Sequence, residues 1–361
     1  MPLVAHLDLP TFADMRREGE AVLTLEQALR QDIRELHIGF LNMMPDAALR
    51  TTERQFFQLL GGCNQIAQIY VHPFSIPGLE RGQETQEYIN TRYETFEHVR
   101  EVGMDALIIT GANVANPNLS SEPLWGPLQQ VIAWADREVT SILCSCLATH
   151  ALLKSLYGID RKPLPQKRWG VYQHRCARSS HPLLRNINTR FDVPHSRHNE
   201  VTREQLEAAG LKVLIESLEG DVHVAVSPDG LRFVFFQGHP EYDYNSLFKE
   251  YKREVLRYRN GERSQAPPLP ENYLHGSEAE MAVQFPLPEE QIEQGLDNTW
   301  GDTGKAIFNN WLGLVYRLTH VDRHKPFVEG VDPDHPLDQG SSFGRAPRAS
   351  ELDCELAKGD A

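Results

Sequence analysis

The sequence predicts an α/β protein: a doubly wound, mostly parallel sheet flanked by helices, with an antiparallel extension. Two observations predict it. Short apolar runs alternate with helix-patterned segments across 35–158, the order of a parallel sheet covered on both faces. Three further apolar runs at 212–217, 222–227 and 232–237 are separated only by short turns, too little chain for a crossover between parallel strands, so they extend the sheet antiparallel.

Residues 1–34 mix polar and apolar side chains and read as an N-terminal arm. ELHIGFLN at 35–42 is a short apolar run closed by Pro45, a buried strand. TTERQFFQLL at 51–60 has apolar residues at helical spacing and stops at Gly61-Gly62. QIYVHPF at 68–74 and ALIIT at 106–110 are the next strands. The helix at 125–137 puts Leu128, Val131, Ile132 and Ala135 on one face. VTSILC at 139–144 is a fourth strand, and 147–157 a helix ended by Gly158. Helices are also expected at 245–258 and 306–319. The stretch 262–299, rich in Pro, Glu and Gln, is expected to be irregular, and 325–361, rich in Asp, Pro, Gly and Ser, extended or disordered. The division is thus an arm at 1–34, a catalytic domain at 35–320 and a tail at 321–361.

Composition narrows the function. The chain has 361 residues and a formal net charge of −14, the wrong sign for neutralising phosphates, so nucleic acid is not an expected partner. An anionic substrate would need local basic groups working against the global field. The five cysteines are odd in number, sparse, and lack the spacing of a zinc ribbon, so no disulfide framework and no structural metal are expected, and a reducing compartment fits. The start MPLVAHLDLP lacks a basic segment followed by an apolar run, and no run of eighteen apolar residues exists. Neither a signal peptide nor a membrane span is expected.

Three features carry chemistry. The strand VTSILC runs into Ser145-Cys146-Leu147-Ala148 and then a helix. A nucleophile on a sharp strand-to-helix turn stands clear of the sheet, and a helix N-terminus favours a thiolate. Cys144 belongs to the strand and reads as a core residue, which leaves Cys146 as the nucleophile. Next, FFQ at 235–237 ends in Gly238-His239-Pro240-Glu241. His239 can take a proton from a thiol and return it if Glu241 orients its ring. A surface loop with two incidental polar residues is the alternative for that segment alone. Last, in Thr110-Gly111-Ala112-Asn113 a glycine follows a parallel strand, so N–H groups at Gly111 and Ala112, joined by that of Leu147, can face a developing oxyanion. Taken alone, Gly111 reads equally well as a simple turn glycine.

These features resemble the class I glutamine amidotransferase-like superfamily, with Cys, His and Glu in this order, although Cys144-Ser145-Cys146-Leu147-Ala148 breaks the Gly-x-Cys-x-Gly elbow of its amidotransferase members. A closer resemblance is to the homoserine O-succinyltransferase family. It rests on Leu41-Asn-Met-Met-Pro45, Leu107-Ile-Ile-Thr-Gly-Ala112, Val139-Thr-Ser141, Lys167-Arg-Trp-Gly-Val-Tyr172, Pro194-His-Ser-Arg197, Gly238-His-Pro-Glu-Tyr-Asp243 and Asn309-Asn-Trp-Leu312, spread over 35–320.

That resemblance implies a flavodoxin-like, glutamine amidotransferase-like fold and a two-step transfer of a succinyl group from succinyl-CoA to the hydroxyl of homoserine. It makes Cys146 the acyl-thioester nucleophile, His239 the proton acceptor and Glu241 its partner. It makes Lys167, Ser196 and Arg253 substrate-binding. It puts acyl-donor specificity at Ala115, where acetyl users tend to have Glu and succinyl users Gly; a small uncharged residue favours succinyl. It implies a cytoplasmic homodimer with no cofactor beyond the acyl-CoA co-substrate. The sequence departs from the family after the cysteine, with Leu147-Ala148-Thr149-His150 where Trp and a small residue usually stand. Homoserine O-acetyltransferase, serine O-acyltransferase and glutamine amidotransferase or glutaminase activities remain alternatives, as does a non-catalytic binding or chaperone-like member of the same fold.

Overall fold

The structure, a computed structural model, describes residues 2–63, 67–178, 180–284 and 286–338. The strands are β1 (Leu3–Ala5), β2 (Val22–Thr24), β3 (Glu35–Leu41), β4 (Gln68–Phe74), β5 (Ala106–Ile109), β6 (Ser141–Ser145), β7 (Lys162–Cys176), β8 (Arg190–Glu200), β9 (Lys212–Ser217), β10 (Val222–Val226) and β11 (Phe233–Phe236). The α-helices are α1 (Pro10–Arg17), α2 (Leu25–Leu29), α3 (Asp46–Gly61), α4 (Gln83–Arg92), α5 (Phe96–Val102), α6 (Trp125–Glu138), α7 (Leu147–Tyr157), α8 (Arg203–Ala208), α9 (Ser246–Arg259), α10 (Gly276–Ala282), α11 (Glu289–Gln294) and α12 (Gly301–Leu318).

One sheet of eleven strands runs β2-β1-β4-β3-β5-β6-β11-β10-β9-β7-β8. From β2 to β11 every pairing is parallel; from β11 onward every pairing is antiparallel. Alternate residues of the central strands serve opposite layers, as pleating requires. Ala106 and Ile108 of β5 join the core beneath Phe56 and Phe57 of α3 and Phe308 and Trp311 of α12. Leu107 and Ile109 join the core beneath Leu128 and Val131 of α6 and Ala148 and Leu152 of α7. Burial on both faces is why these strands read as continuous apolar runs. Among the described residues, no helix is long and apolar enough to cross a membrane.

The structure corrects the expected division of the chain. The 1–34 arm is built into the sheet: β1 pairs β4 and β2 pairs β1, both parallel, while Leu3, Phe12 and Met15 are buried. Three-residue strands are too short to show a periodicity. Of the expected tail 321–361, the part to residue 338 is packed rather than extended: Phe327 and Val331 enter the core, Val328 N–H donates to Leu318 at 2.9 Å, and Thr140 donates to the Pro326 carbonyl. Residues 339–361 lie outside those described. The supposedly irregular stretch 262–299 contains α10 and α11, and its Tyr273, Leu274, Ala282 and Ile292 pack with Trp169, Phe248 and Tyr251 in a separate apolar cluster.

Candidate active site

Three adjacent parallel strands each end in a residue singled out above. Gly111 follows β5, Cys146 follows β6 and His239 follows β11. Cys146 has φ 53° and ψ −112°, a conformation costing a non-glycine residue roughly 1–3 kcal/mol that the surroundings must enforce. Cys146 N–H donates to the Phe236 carbonyl at 2.9 Å. The Thr149 hydroxyl lies 2.8 Å from that same oxygen and 3.0 Å from the Cys144 carbonyl oxygen. The next strand and the first turn of α7 therefore lock the elbow. From the other side Gly111 borders the elbow closely: a Cβ there would touch Cys146, 3.4 Å from its Cβ and 3.8 Å from its sulfur.

His239 Nδ1 and Glu241 Oε1 are 2.8 Å apart, and the Tyr242 ring stacks on the imidazole at 4.3 Å. With Nδ1–H donating to Glu241, Nε2 is left for the sulfur; it makes no conventional hydrogen bond among the described residues. Burial alone would pull the His239 ring down. The charges of Glu241 and Cys146, with the hydrogen bond to Glu241, outweigh it and raise the ring to about 10. Ser145 donates to Glu241 Oε1 at 3.4 Å. By contrast, burial pushes the Cys144 thiol well up and that of Cys63 to about 12, which leaves both inert as nucleophiles.

A rigid backing fixes the histidine loop. His239 N–H donates to the Pro194 carbonyl of β8 at 2.9 Å. Behind Gly238 lie His174, His195 and His223, all buried. His174 Nδ1–H donates to Tyr172 O at 2.8 Å, so its Nε2 accepts from His195 Nε2–H at 3.2 Å, while His195 Nδ1 accepts from Arg197 at 3.3 Å. Gly238 N–H donates to His223 Nδ1 at 3.2 Å. A Cβ at Gly238 would come within 2.6 Å of Val193 Cγ1 and 2.9 Å of both His195 Cε1 and His223 Nδ1. Gly238→Ala is therefore expected to shift the loop and lower kcat/KM by about 100-fold, the usual effect of an ångström-scale misplacement. Steady-state kinetics on variant protein with a near-native circular dichroism spectrum checks this.

A cavity of about 910 Å³ opens above the strand ends, lined by Cys146, His239, Gly111, Ala112 and residues of β7, β8 and α9. The acidic protein is locally basic here: Lys167, Lys249, Arg253, Arg257 and Arg263 face three carboxylates, Glu250, Glu254 and Glu271. The structure brings Lys167 and Ser196 together through Glu250, which the sequence reading missed. Lys167 pairs with Glu250 and sits 4.2 Å over the Trp169 ring. Ser196 donates to Glu250 Oε1 at 2.9 Å and Trp169 Nε1–H to Oε2 at 3.2 Å. Arg253, one helical turn on, lines the cavity without an ion pair among the described residues. The three-residue spacing of Glu250 and Arg253 on a helix was the clue to a shared face.

Leu147 is the first residue of α7, whose leading N–H has no intrahelical partner. Ala115 is exposed and does not line the cavity; Asn113 does. Its neighbour Asn116 accepts from Arg161 Nη2 at 3.1 Å. Arg161, also missed, lies within electrostatic reach of Cys146.

A cysteine strained at the end of a parallel strand, with a His–Glu pair from the next strand, makes this an α/β protein built to present a thiol to an imidazole. The sequence profile of the homoserine O-succinyltransferase family matches residues 2–321. Homoserine O-succinyltransferase of Methylococcus capsulatus is 57% identical over 352 residues, covering 93% of this chain and 99% of that protein. That of Thiothrix nivea is 53% identical over 359 residues, covering 95% and 100%. The chain belongs to the homoserine O-succinyltransferase family. Among solved structures, a glutamine amidotransferase from Thermotoga maritima aligns with 78% of this chain and 97% of its own, at TM-score 0.44 and 13% identity.

Proposed function

We infer that this acyltransferase moves a succinyl group from succinyl-CoA to the hydroxyl of homoserine through a thioester on Cys146. The observation that carries the covalent route is the strained Cys146 elbow set against the His239–Glu241 pair. The Cys146 thiolate attacks the thioester carbonyl, and the oxyanion is met by N–H groups at Gly111, Ala112 and Leu147. Each such donor is worth about 3 kcal/mol in the transition state. Collapse expels the coenzyme A thiolate, which takes the proton from His239. Acylation removes the charge on sulfur, one of the influences that raise the ring, so the imidazole is left ready as a base. It then takes the proton of the homoserine hydroxyl as that oxygen attacks the acyl-enzyme. O-succinylhomoserine leaves, and the thiolate–imidazolium pair is restored.

The cationic cavity suits coenzyme A phosphates and carboxylates. Arg253 is free to hold the homoserine carboxylate in a two-pronged hydrogen bond, with Lys167 and Ser196 placed by Glu250 beside it. For the donor, Arg161, tethered to Asn116, supplies the charge that a succinyl carboxylate needs, since Ala115 stands outside the cavity. Cysteines 144, 146 and 176, none in a disulfide, fit a cytoplasmic enzyme. No cofactor enters these steps, and the assembly we expect is a homodimer.

Thiol release from succinyl-CoA and acetyl-CoA, each with homoserine and with serine, tests the reading. The highest kcat/KM is expected for succinyl-CoA with homoserine, with the parallel double-reciprocal lines of a ping-pong reaction. Arg161→Ala is expected to lower kcat/KM for succinyl-CoA about tenfold while changing that for acetyl-CoA less than twofold, since only the former loses a charge-assisted bond. Equal losses for both donors would remove Arg161 from donor recognition.

A further inference from the structure

A second cluster of polar side chains, with His72 buried and His6 and Glu94 half-buried, lies away from the cavity. His6 follows β1, His72 is inside β4, and Glu94 lies between α4 and α5, bridged to Phe74 at the end of β4. None of the three lines the catalytic cavity. We propose that His6, His72 and Glu94 form a binding site for one zinc-class divalent ion.

The geometry fits. Each residue offers one ligand atom, and all three atoms lie within 4.8 Å of one another. Two imidazoles and a carboxylate, with water completing a tetrahedron, suit zinc, whose ligand bonds of about 2.0–2.2 Å ask for side-chain shifts of about an ångström. His6 Nδ1–H donates to the Val4 carbonyl at 3.1 Å, so its lone pair is on Nε2. That atom is buried and has no partner among the described residues. A buried acceptor without a donor is costly unless a cation meets it.

The rings behind supply the supporting network. His72 Nδ1 lies 2.7 Å from Glu94 Oε2, and its Nε2 lies 2.9 Å from His37 Nδ1. His37 Nε2 lies 3.3 Å from Glu35 Oε2. If His72 is neutral with its proton on Nδ1, His37 must donate from Nδ1, and its bare Nε2 then faces the Glu35 carboxylate. If a metal takes His72 Nδ1, Nε2–H donates to His37 Nδ1, and His37 Nε2–H donates to Glu35. Every nitrogen then has a complementary partner, the carboxylate-backed arrangement common behind metal-bound histidines.

The ion would join three separate segments and clamp the short strand β1 to β4. The cysteine spacing that argues against a zinc ribbon has no bearing on a His/Glu set.

The test uses the full chain, stripped with a chelator and titrated with Zn²⁺ against a chromophoric competitor, and separately with Co²⁺. One equivalent is expected to bind at micromolar or tighter affinity, with visible cobalt bands of a four-coordinate site and a melting temperature raised by about 4 °C or more. His6→Ala and Glu94→Gln should each weaken binding at least tenfold and leave kcat/KM for acyl transfer unchanged. Absence of stoichiometric binding, or binding undiminished in both variants, overturns the site. Should His6→Ala lower the melting temperature even with chelator present, Glu94→Gln alone decides, since the glutamine can still accept from His72.

Discussion

Cys146→Ala is expected to lower kcat for acyl transfer by about 10⁴-fold or more, close to what remains when positioning and oxyanion donors act without a nucleophile. The expectation rests on one sulfur. Cys144 is two residues away but wholly buried in β6, and its thiol is pushed well above the ordinary range, so it cannot substitute. Mass spectrometry should find a succinyl adduct on wild-type enzyme given succinyl-CoA alone and none on the variant. The variant should also change its histidine. With the sulfur charge gone, the His239 pKa is expected to fall from about 10, which histidine-detected NMR can follow. A variant retaining more than about a hundredth of the activity would end the covalent route.

Glu241→Gln is expected to cost about 10²–10⁴-fold in kcat/KM, the range seen when a catalytic histidine loses its orienting carboxylate. Two effects combine. The ring loses the charge that stabilises imidazolium, and Nδ1 loses an acceptor-only partner that fixes the tautomer. The sign of the pH effect follows. Burial opposes imidazolium while Glu241 and Cys146 favour it, raising the ring to about 10 in the intact site. On the proposed route the protonated ring gives its proton to departing coenzyme A, so activity is expected to decline as pH rises through that value. Removing the carboxylate lowers the pKa, and the alkaline limb of the kcat/KM profile should move to lower pH. An unmoved limb with lower activity would make Glu241 a purely steric support.

Much of this architecture is legible in the sequence because its information is local. Strands β3, β4, β5, β6 and β11, buried on both faces, leave runs such as ALII and FVFF that need no partner to be recognised. The elbow at Cys146 and the His239-Pro240-Glu241 turn are marked by the order strand, reactive residue, break. What escaped notice depends on distant contacts. β7 and β8 alternate charged and aromatic residues because they form the outer part of the sheet, and their pairing runs from Lys162 opposite Glu200 to Arg175 opposite Arg190. Glu250 gains its role only when α9 brings it against Lys167, Ser196 and Trp169 from two other strands. Arg161 is far from Cys146 in chain terms and near it only after folding. The N-terminal strands were missed for lack of length, and the segment to residue 338 because a polar composition conceals the anchors Phe327 and Val331.

The change from parallel to antiparallel pairing at β11 has a further consequence. Gly111, Cys146 and His239 are spaced by neighbouring parallel strands, about 4.8 Å apart, so the reactive group inherits its precision from the backbone lattice. Lys167, Ser196 and Arg253 hang from the other half, on β7, β8 and α9. Natural variation can thus retailor the docking wall, admitting a longer or shorter alcohol, while the sulfur keeps its temper. Reactivity and taste are carried by different halves of one continuous sheet, and a descendant can change the second without relearning the first.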